Sequence, residues 1–255
     1  MFSWASAKRS PVIVAHRGAS RVAPENTLAA FRQAIREGAD AIELDVRLSC
    51  DGEVVVIHDA RLERTTNGHG KVKDATLGEL KKLSAGSWFH QKYAGEGIPT
   101  LNEVFQLTKN RIGINVEIKE PIFRRSRTDI VKKCLKVIEN SNGAKSVLIS
   151  SFNHSIVKRV KALWPEIMTG VLYHPVRHFR RTPERLARGA GAEMFICGTR
   201  SFRARMAPAL HEAGIRVGVY TVNNAVGLRK MLNSSVDVVY TDRIGEIKKL
   251  LRKGL

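Results

Sequence analysis

The chain has 255 residues, 43% of them hydrophobic, with 43 Lys+Arg against 24 Asp+Glu for a formal net charge of +19. That size suits one large domain with enough core to fold without a disulfide or metal, and the positive field favours anionic partners. Three widely spaced cysteines (Cys50, Cys134, Cys197) form no zinc pair, the opening MFSWASAKRS has no signal-peptide core, and no run nears the roughly 18 apolar residues of a membrane span; a cytoplasmic protein with reduced thiols is expected.

Residues 1–11 read as a flexible N-terminus and 12–255 as a single domain. Strand 12–16 leads through Ala15-His16-Arg17-Gly18 to helix 26–38, which meets the stop signal Gly38. Strand 40–46 follows, then strand 54–58 beyond the turn signal Asp51-Gly52. Residues 59–99 break the rhythm and read as a small insertion above the strand ends. From helix 100–110 the alternation is regular: strand 112–118, helix 128–140, strand 146–150, helix 153–164, strand 168–173, helix 183–189, strand 193–197, helix 203–214, strand 215–221, helix 224–233, strand 236–241, helix 243–253. Gly143 and Gly214 are further stop signals.

Short apolar strands alternating with helices imply an α/β fold with a parallel sheet buried on both faces. The expectation is a (β/α)8 TIM-type barrel, for which this length is common. Nine candidate strands exceed the eight of a barrel. Strand 54–58 either folds back antiparallel through a tight hairpin or stays parallel after a short crossover, and both paths fit the sequence.

Charged residues collect at the ends of four consecutive strands. His16 closes the first, Glu43 and Asp45 lie on the second, His58 closes the third, and Glu117 and Lys119 close the fourth. In a barrel the C-terminal strand ends form the active face. Glu43 and Asp45, two apart, share one side of their strand. Three buried carboxylates repel unless a cation joins them. An all-oxygen set suits Mg²⁺ or Ca²⁺; the alternative is neutralisation by Arg17 and Lys119 alone. Two imidazoles can serve as general acid and base, and Arg17 and Lys119 suit phosphate oxygens. Asn26 fits an N-cap for helix 26–38, or with Glu25 a place at the metal or phosphate edge.

These residues form an ordered series: His16-Arg17-Gly18, Pro24-Glu25-Asn26-Thr27, Glu43-Leu44-Asp45-Val46, Val56-Ile57-His58-Asp59, Glu117-Ile118-Lys119, Ser150-Ser151-Phe152, Thr221-Val222-Asn223 and Thr241-Asp242-Arg243. The series closely resembles glycerophosphodiester phosphodiesterases over roughly residues 12 to 250. The resemblance implies a TIM-type barrel with a small insertion after the third strand segment. It implies hydrolysis of glycerophosphodiesters to sn-glycerol 3-phosphate and an alcohol, with one divalent cation on Glu43, Asp45 and Glu117. His16 and His58 would be the acid–base pair, with Arg17 and Lys119 on the phosphate and a cyclic phosphate as intermediate. Tyr220 stands where the family usually has Trp, and would pack on the glycerol carbons. The alternative activity is lysophospholipase D-type hydrolysis at a membrane surface.

Basic residues cluster in three βα connections: Arg124, Arg125 and Arg127; His174, Arg177, His178, Arg180 and Arg181; Arg200, Arg203 and Arg205. Phe123, Tyr173, Phe179 and Phe202 are interleaved with them. Such a rim would steer a small glycerophosphodiester substrate or rest on an anionic membrane. No recognition motif points to nucleic acid, and the oligomeric state is not encoded in any visible pattern.

Overall fold

The computed structural model describes residues 2–7, 11–109, 111–119 and 129–254. In chain order these contain β1 (Val12–Ala15), α1 (Leu28–Arg36), β2 (Ala41–Leu48), β3 (Val54–Val56), α2 (Leu77–Leu80), α3 (Leu101–Thr108) and β4 (Gly113–Ile118). Then come α4 (Ile130–Asn140), β5 (Val147–Ser151), α5 (His154–Leu163), β6 (Met168–Leu172), α6 (Pro183–Ala190) and β7 (Met194–Gly198). The chain ends with α7 (Met206–Glu212), β8 (Arg216–Tyr220), α8 (Ala225–Asn233), β9 (Val238–Thr241) and α9 (Ile244–Arg252). No helix among the described residues is long and apolar enough to cross a membrane.

Eight strands form the expected closed parallel barrel. β1 pairs with both β2 and β9, and the others follow in sequence with β3 left out. The ninth strand is accounted for by the antiparallel option: Val46 faces Val56 and Leu48 faces Val54. β2 therefore overshoots the barrel rim, and β3 carries the chain back down. The Ile57 amide then reaches the Asp45 carbonyl at 2.9 Å. This return brings His58 to the level of the acidic residues.

The insertion after β3 has its own apolar cluster of Val55, Ile57, Leu62, Val72, Leu80, Ala85 and Ile98. Its one α-helix, α2, starts in a capping box between Thr76 and Glu79. The main core lies between strands and helices, where Ile42, Leu44, Ile114 and Val116 meet Phe31, Val104 and Val131. The complementary faces of β2 and β4 point into the barrel. There the lower layer is apolar (Val12, Ala41, Leu148, Met194, Val238), and the upper layer is polar.

Two expectations need correction. Helix α4 ends through Asn142, which takes the left-handed conformation at φ 52°, rather than through Gly143. The N-terminal segment is not loose at Trp4, whose ring is 0% exposed and closes the bottom of the barrel. Its amide bonds the Lys145 carbonyl at 3.1 Å, and its carbonyl accepts from Arg216. Phe2 meets the indole edge-on at 5.2 Å. A six-residue plug has no periodicity by which sequence distinguishes it from a tail. Trp4→Ala should cost about 3–5 kcal/mol in a denaturant titration, whereas a free tail would show no change.

Candidate active site

The polar upper layer of the barrel opens into a cavity of about 320 Å³. His16, Arg17, Glu43, His58, Glu117, Lys119 and Tyr220 line it together. Glu43, Asp45 and Glu117 are buried, each offering one oxygen within 4.8 Å of the others. In the parallel register Asp45 lies beside Glu117 on the neighbouring strand, while Glu43 is one inward position lower. Burial first, and then the Asp45 charge, push the Glu43 and Glu117 carboxyls upward. Burial also acts to raise Asp45, but the charges of Lys119 and Arg17 outweigh it and hold that carboxyl low.

Side-chain cations neutralise part of this charge, as one of the two sequence alternatives expects. Lys119 Nζ lies 2.6 Å from Glu117 Oε1 and 3.1 Å from Asp45 Oδ1, and Arg17 Nε lies 3.3 Å from Asp45 Oδ2. The two side-chain cations do not complete the site, because the inner oxygen Glu43 Oε1 is buried with no hydrogen-bond partner among the described residues. Three converging carboxylates with an unsatisfied oxygen can bind a metal ion, and the donor set is that of a hard cation.

Backbone strain helps to hold the cluster. Arg17 and Asn26 adopt positive φ values of 57° and 58°, a conformation that costs a non-glycine residue about 1–3 kcal/mol. The turned Arg17 amide donates to Glu43 Oε2 at 2.8 Å. Asn26 Nδ2 donates to Asp45 Oδ2 at 2.8 Å, and its Oδ1 accepts from the Asp45 amide. Asn26 is therefore not the helix cap; Thr27 caps α1. Gly18, at φ 82°, lies so close to α1 that a Cβ would sit 2.7 Å from the Ala30 Cβ. Glycine is required there for the loop to reach the cluster.

The two histidines have matching supports. His16 Nδ1 meets Asp242 Oδ1 at 2.8 Å, and Asp242 is held by Asn223 (2.7 Å) and Ser20 (3.3 Å). His58 Nδ1 meets Asp59 Oδ1 at 2.5 Å, and Asp59 accepts from Arg64. Arg64 also donates to Glu25, which accepts from Arg17 at 2.8 Å. Each ring is thus held through Nδ1, and both residues line the cavity. Burial acts to lower His16, but the Asp242 hydrogen bond and the Glu43 charge prevail and raise it. Burial lowers His58, and the positive charges of Lys119 and Arg17 act in the same direction against Asp45.

His16, Arg17, Glu43, Asp45, His58, Glu117, Lys119 and Tyr220 come together around this one cavity. Of the supporting residues Glu25, Asp59, Arg64, Asn223 and Asp242, sequence reasoning offers only Glu25 a place at the edge of the site. Four of these five lie within the motifs quoted above, so their positions were visible but their partners were not. Arg64 had no visible sign, because only the folded insertion brings it to Glu25 and Asp59. Tyr220 sits edge-on to Phe152, with ring centroids 6.5 Å apart.

Two of the three basic clusters read from sequence fall on described residues. Arg124, Arg125, Arg127 and Phe123 lie outside the described residues. Arg203 donates to the carbonyls of Arg200 and Phe202, and Phe202 is buried. Arg200, Arg203 and Arg205 are exposed, and so are Arg177, Arg180 and Arg181 in the stretch 174–181 beside the cavity.

The profile of the Glycerophosphoryl diester phosphodiesterase family matches residues 16–246. A glycerophosphodiester phosphodiesterase of Caldanaerobacter subterraneus subsp. tengcongensis is 41% identical over 95% of this chain and 98% of its own. A phosphodiesterase of Oleispira antarctica, solved with the product sn-glycerol-3-phosphate, is similar in structure with a TM-score of 0.86. It is 31% identical, over 95% of this chain and 97% of that one. A glycerophosphodiester phosphodiesterase of Agrobacterium tumefaciens gives a TM-score of 0.82 at 30% identity, over 94% and 99%.

Proposed function

The chain belongs to the glycerophosphoryl diester phosphodiesterase family, and from that premise we propose how its own residues carry out the hydrolysis of a glycerophosphodiester. Glu43, Asp45 and Glu117 hold one divalent cation, Mg²⁺ or Ca²⁺. When bound, the cation supplies Lewis acidity and neutralises charge on the phosphate oxygens. Arg17 and Lys119 take the remaining phosphate oxygens, a planar fork and a point charge respectively. Tyr220 and Phe152 form the apolar wall against the glycerol carbons.

Proton transfer falls to the imidazoles. One takes the proton of the glycerol 2-hydroxyl on its Nε2 as that oxygen attacks phosphorus. The other gives a proton from its Nε2 to the departing alcohol oxygen. The bond to the alcohol breaks as the cyclic phosphate forms. Water then opens the ring with the histidine roles reversed, releasing sn-glycerol 3-phosphate. Asp59 and Asp242 keep each ring in the tautomer and orientation the transfer needs. The observation that carries this reading is the pair of His–Asp couples bordering a three-carboxylate cluster in one cavity.

Phosphorus NMR of a glycerophosphocholine digest tests it. The expected products are sn-glycerol 3-phosphate and choline, with a transient cyclic phosphate early in the reaction. Phosphocholine and glycerol would mean that the other ester bond is cut and the assigned attack is wrong. A second reading, hydrolysis of lysophospholipids at a membrane, is favoured by two exposed apolar residues beside the cavity, Val176 and Phe179.

A further inference from the structure

We propose that the loop between β6 and α6 docks the enzyme on an anionic lipid surface, inserting Val176 and Phe179 while Arg177, Arg180 and Arg181 meet lipid phosphates. Val176 is 78% exposed and Phe179 69%, three residues apart in one loop. The only comparably exposed large hydrophobic residue among those described, Val226, stands alone on α8. Tyr173, by contrast, packs on Phe195, and Phe202 is buried. The aromatic interleaving read from sequence thus reduces, among the described residues, to a single projecting ring with an aliphatic companion.

The basic residues around that apolar pair are free to bind. No carboxylate pairs with Arg177, Arg180 or Arg181 among the described residues, and the Arg180 guanidinium lies 5.3 Å from the Phe179 ring centroid. The loop is also preformed. His178, buried between the exposed residues, accepts the His174 amide on Nδ1 at 3.0 Å and stacks on His154 at 4.3 Å. Its own amide bonds the His174 carbonyl at 2.9 Å. Little ordering is therefore left to be lost on docking.

The position completes the case. The loop follows the C-terminal end of β6, on the face that carries the carboxylates and histidines. His174, Arg177, His178 and Arg181 line a groove that continues to Glu117, Lys119 and Phe152, which border the catalytic cavity. Exposed apolar side chains ringed by arginines match the interface of an anionic leaflet, with acyl chains below and phosphates above. A soluble polyanion would engage the arginines but leave Val176 and Phe179 without a partner. The net charge of +19 adds long-range attraction to the same surface.

Co-sedimentation with phosphatidylcholine vesicles, with and without phosphatidylglycerol, tests this inference, which does not depend on the hydrolytic reading. The wild-type chain should partition onto the anionic vesicles and remain in solution with the neutral ones. V176D/F179D should lower the partition about tenfold or more, and R177Q/R180Q/R181Q should lower it and flatten its salt dependence. Equal binding to both vesicle types, or no binding to either, overturns the proposal. So does a V176D/F179D variant that binds like the wild type while the arginine variant does not, since that describes a general polyanion surface. Hydrolysis of soluble glycerophosphocholine by the same V176D/F179D sample should be retained, which shows that a lost partition is not lost folding. A wild type that sediments but hydrolyses no diester supports docking while refuting the enzymatic reading.

Discussion

Glu43→Gln should lower kcat/KM for a glycerophosphodiester by about a thousandfold or more, the equivalent of several kcal/mol of lost transition-state stabilisation. The amide keeps the shape of the side chain and removes the charge. Its effect on stability should run in the opposite direction. Without a cation, the native Glu43 is a buried carboxyl near Asp45 and Glu117 whose pKa is pushed up to about 8. Above its unfolded pKa such a carboxyl must take up a proton to fold, and the neutral amide removes that cost. The metal-free variant should therefore melt no lower than metal-free wild type. Added cation should raise the wild-type Tm by ligand linkage and leave the variant nearly unmoved. A variant that is both inactive and unfolded would point to a structural role for Glu43; one that keeps activity would remove it from the metal site.

Replacing either histidine should be nearly as costly. His16→Ala and His58→Ala should each lower kcat about 10²–10⁴-fold with little change in KM, the usual size of a lost acid or base. The two can be told apart by the leaving group. A glycerophosphodiester of nitrophenol releases an oxygen that needs no proton, so the variant lacking the general acid should recover most of its rate on that substrate. The variant lacking the base should not. If neither variant recovers, the division of labour between His16 and His58 is wrong. If KM rises and kcat holds, the histidines bind phosphate without moving protons.

Most of this architecture was legible in the sequence because its elements obey short-range rules. Each barrel strand is a short, largely apolar run, and most of the following helices have a side-chain N-cap and an apolar stripe, so all eight alternations could be placed. The site residues were visible because strand ends in a barrel converge whatever the intervening chain does. The path of 46–58 was not legible. A hairpin and a short crossover have the same turn residues, and only the pairing of Val46 with Val56 distinguishes them. The same limit hid the role of Arg64, whose bonds to Asp59 and Glu25 span 5 and 39 residues of chain.

Trp4 and Asn26 teach the complementary lesson. Trp4 plugs the barrel from a segment too short to have a period. Asn26 has the composition and place of a helix cap, yet its side chain is turned to Asp45 by a backbone conformation that propensity disfavours. For Asn26 the departure from local preference sits at the carboxylate cluster, where its side chain bonds Asp45. The exposed Val176 and Phe179 are a third case: sequence showed an aromatic and a basic run, and only the fold separated the buried His178 from its projecting neighbours.

Stripping and restoring the metal bears on Glu43, Asp45 and Glu117 at once. The protein is stripped with chelator, then titrated with Mg²⁺ or Ca²⁺ in the presence of glycerophosphocholine, and sn-glycerol 3-phosphate and choline are quantified. The arrangement of Glu43, Asp45 and Glu117 predicts negligible turnover by the stripped protein, saturable recovery with a single class of ion site, and the two products in equal amounts. Full turnover by the stripped protein would contradict it.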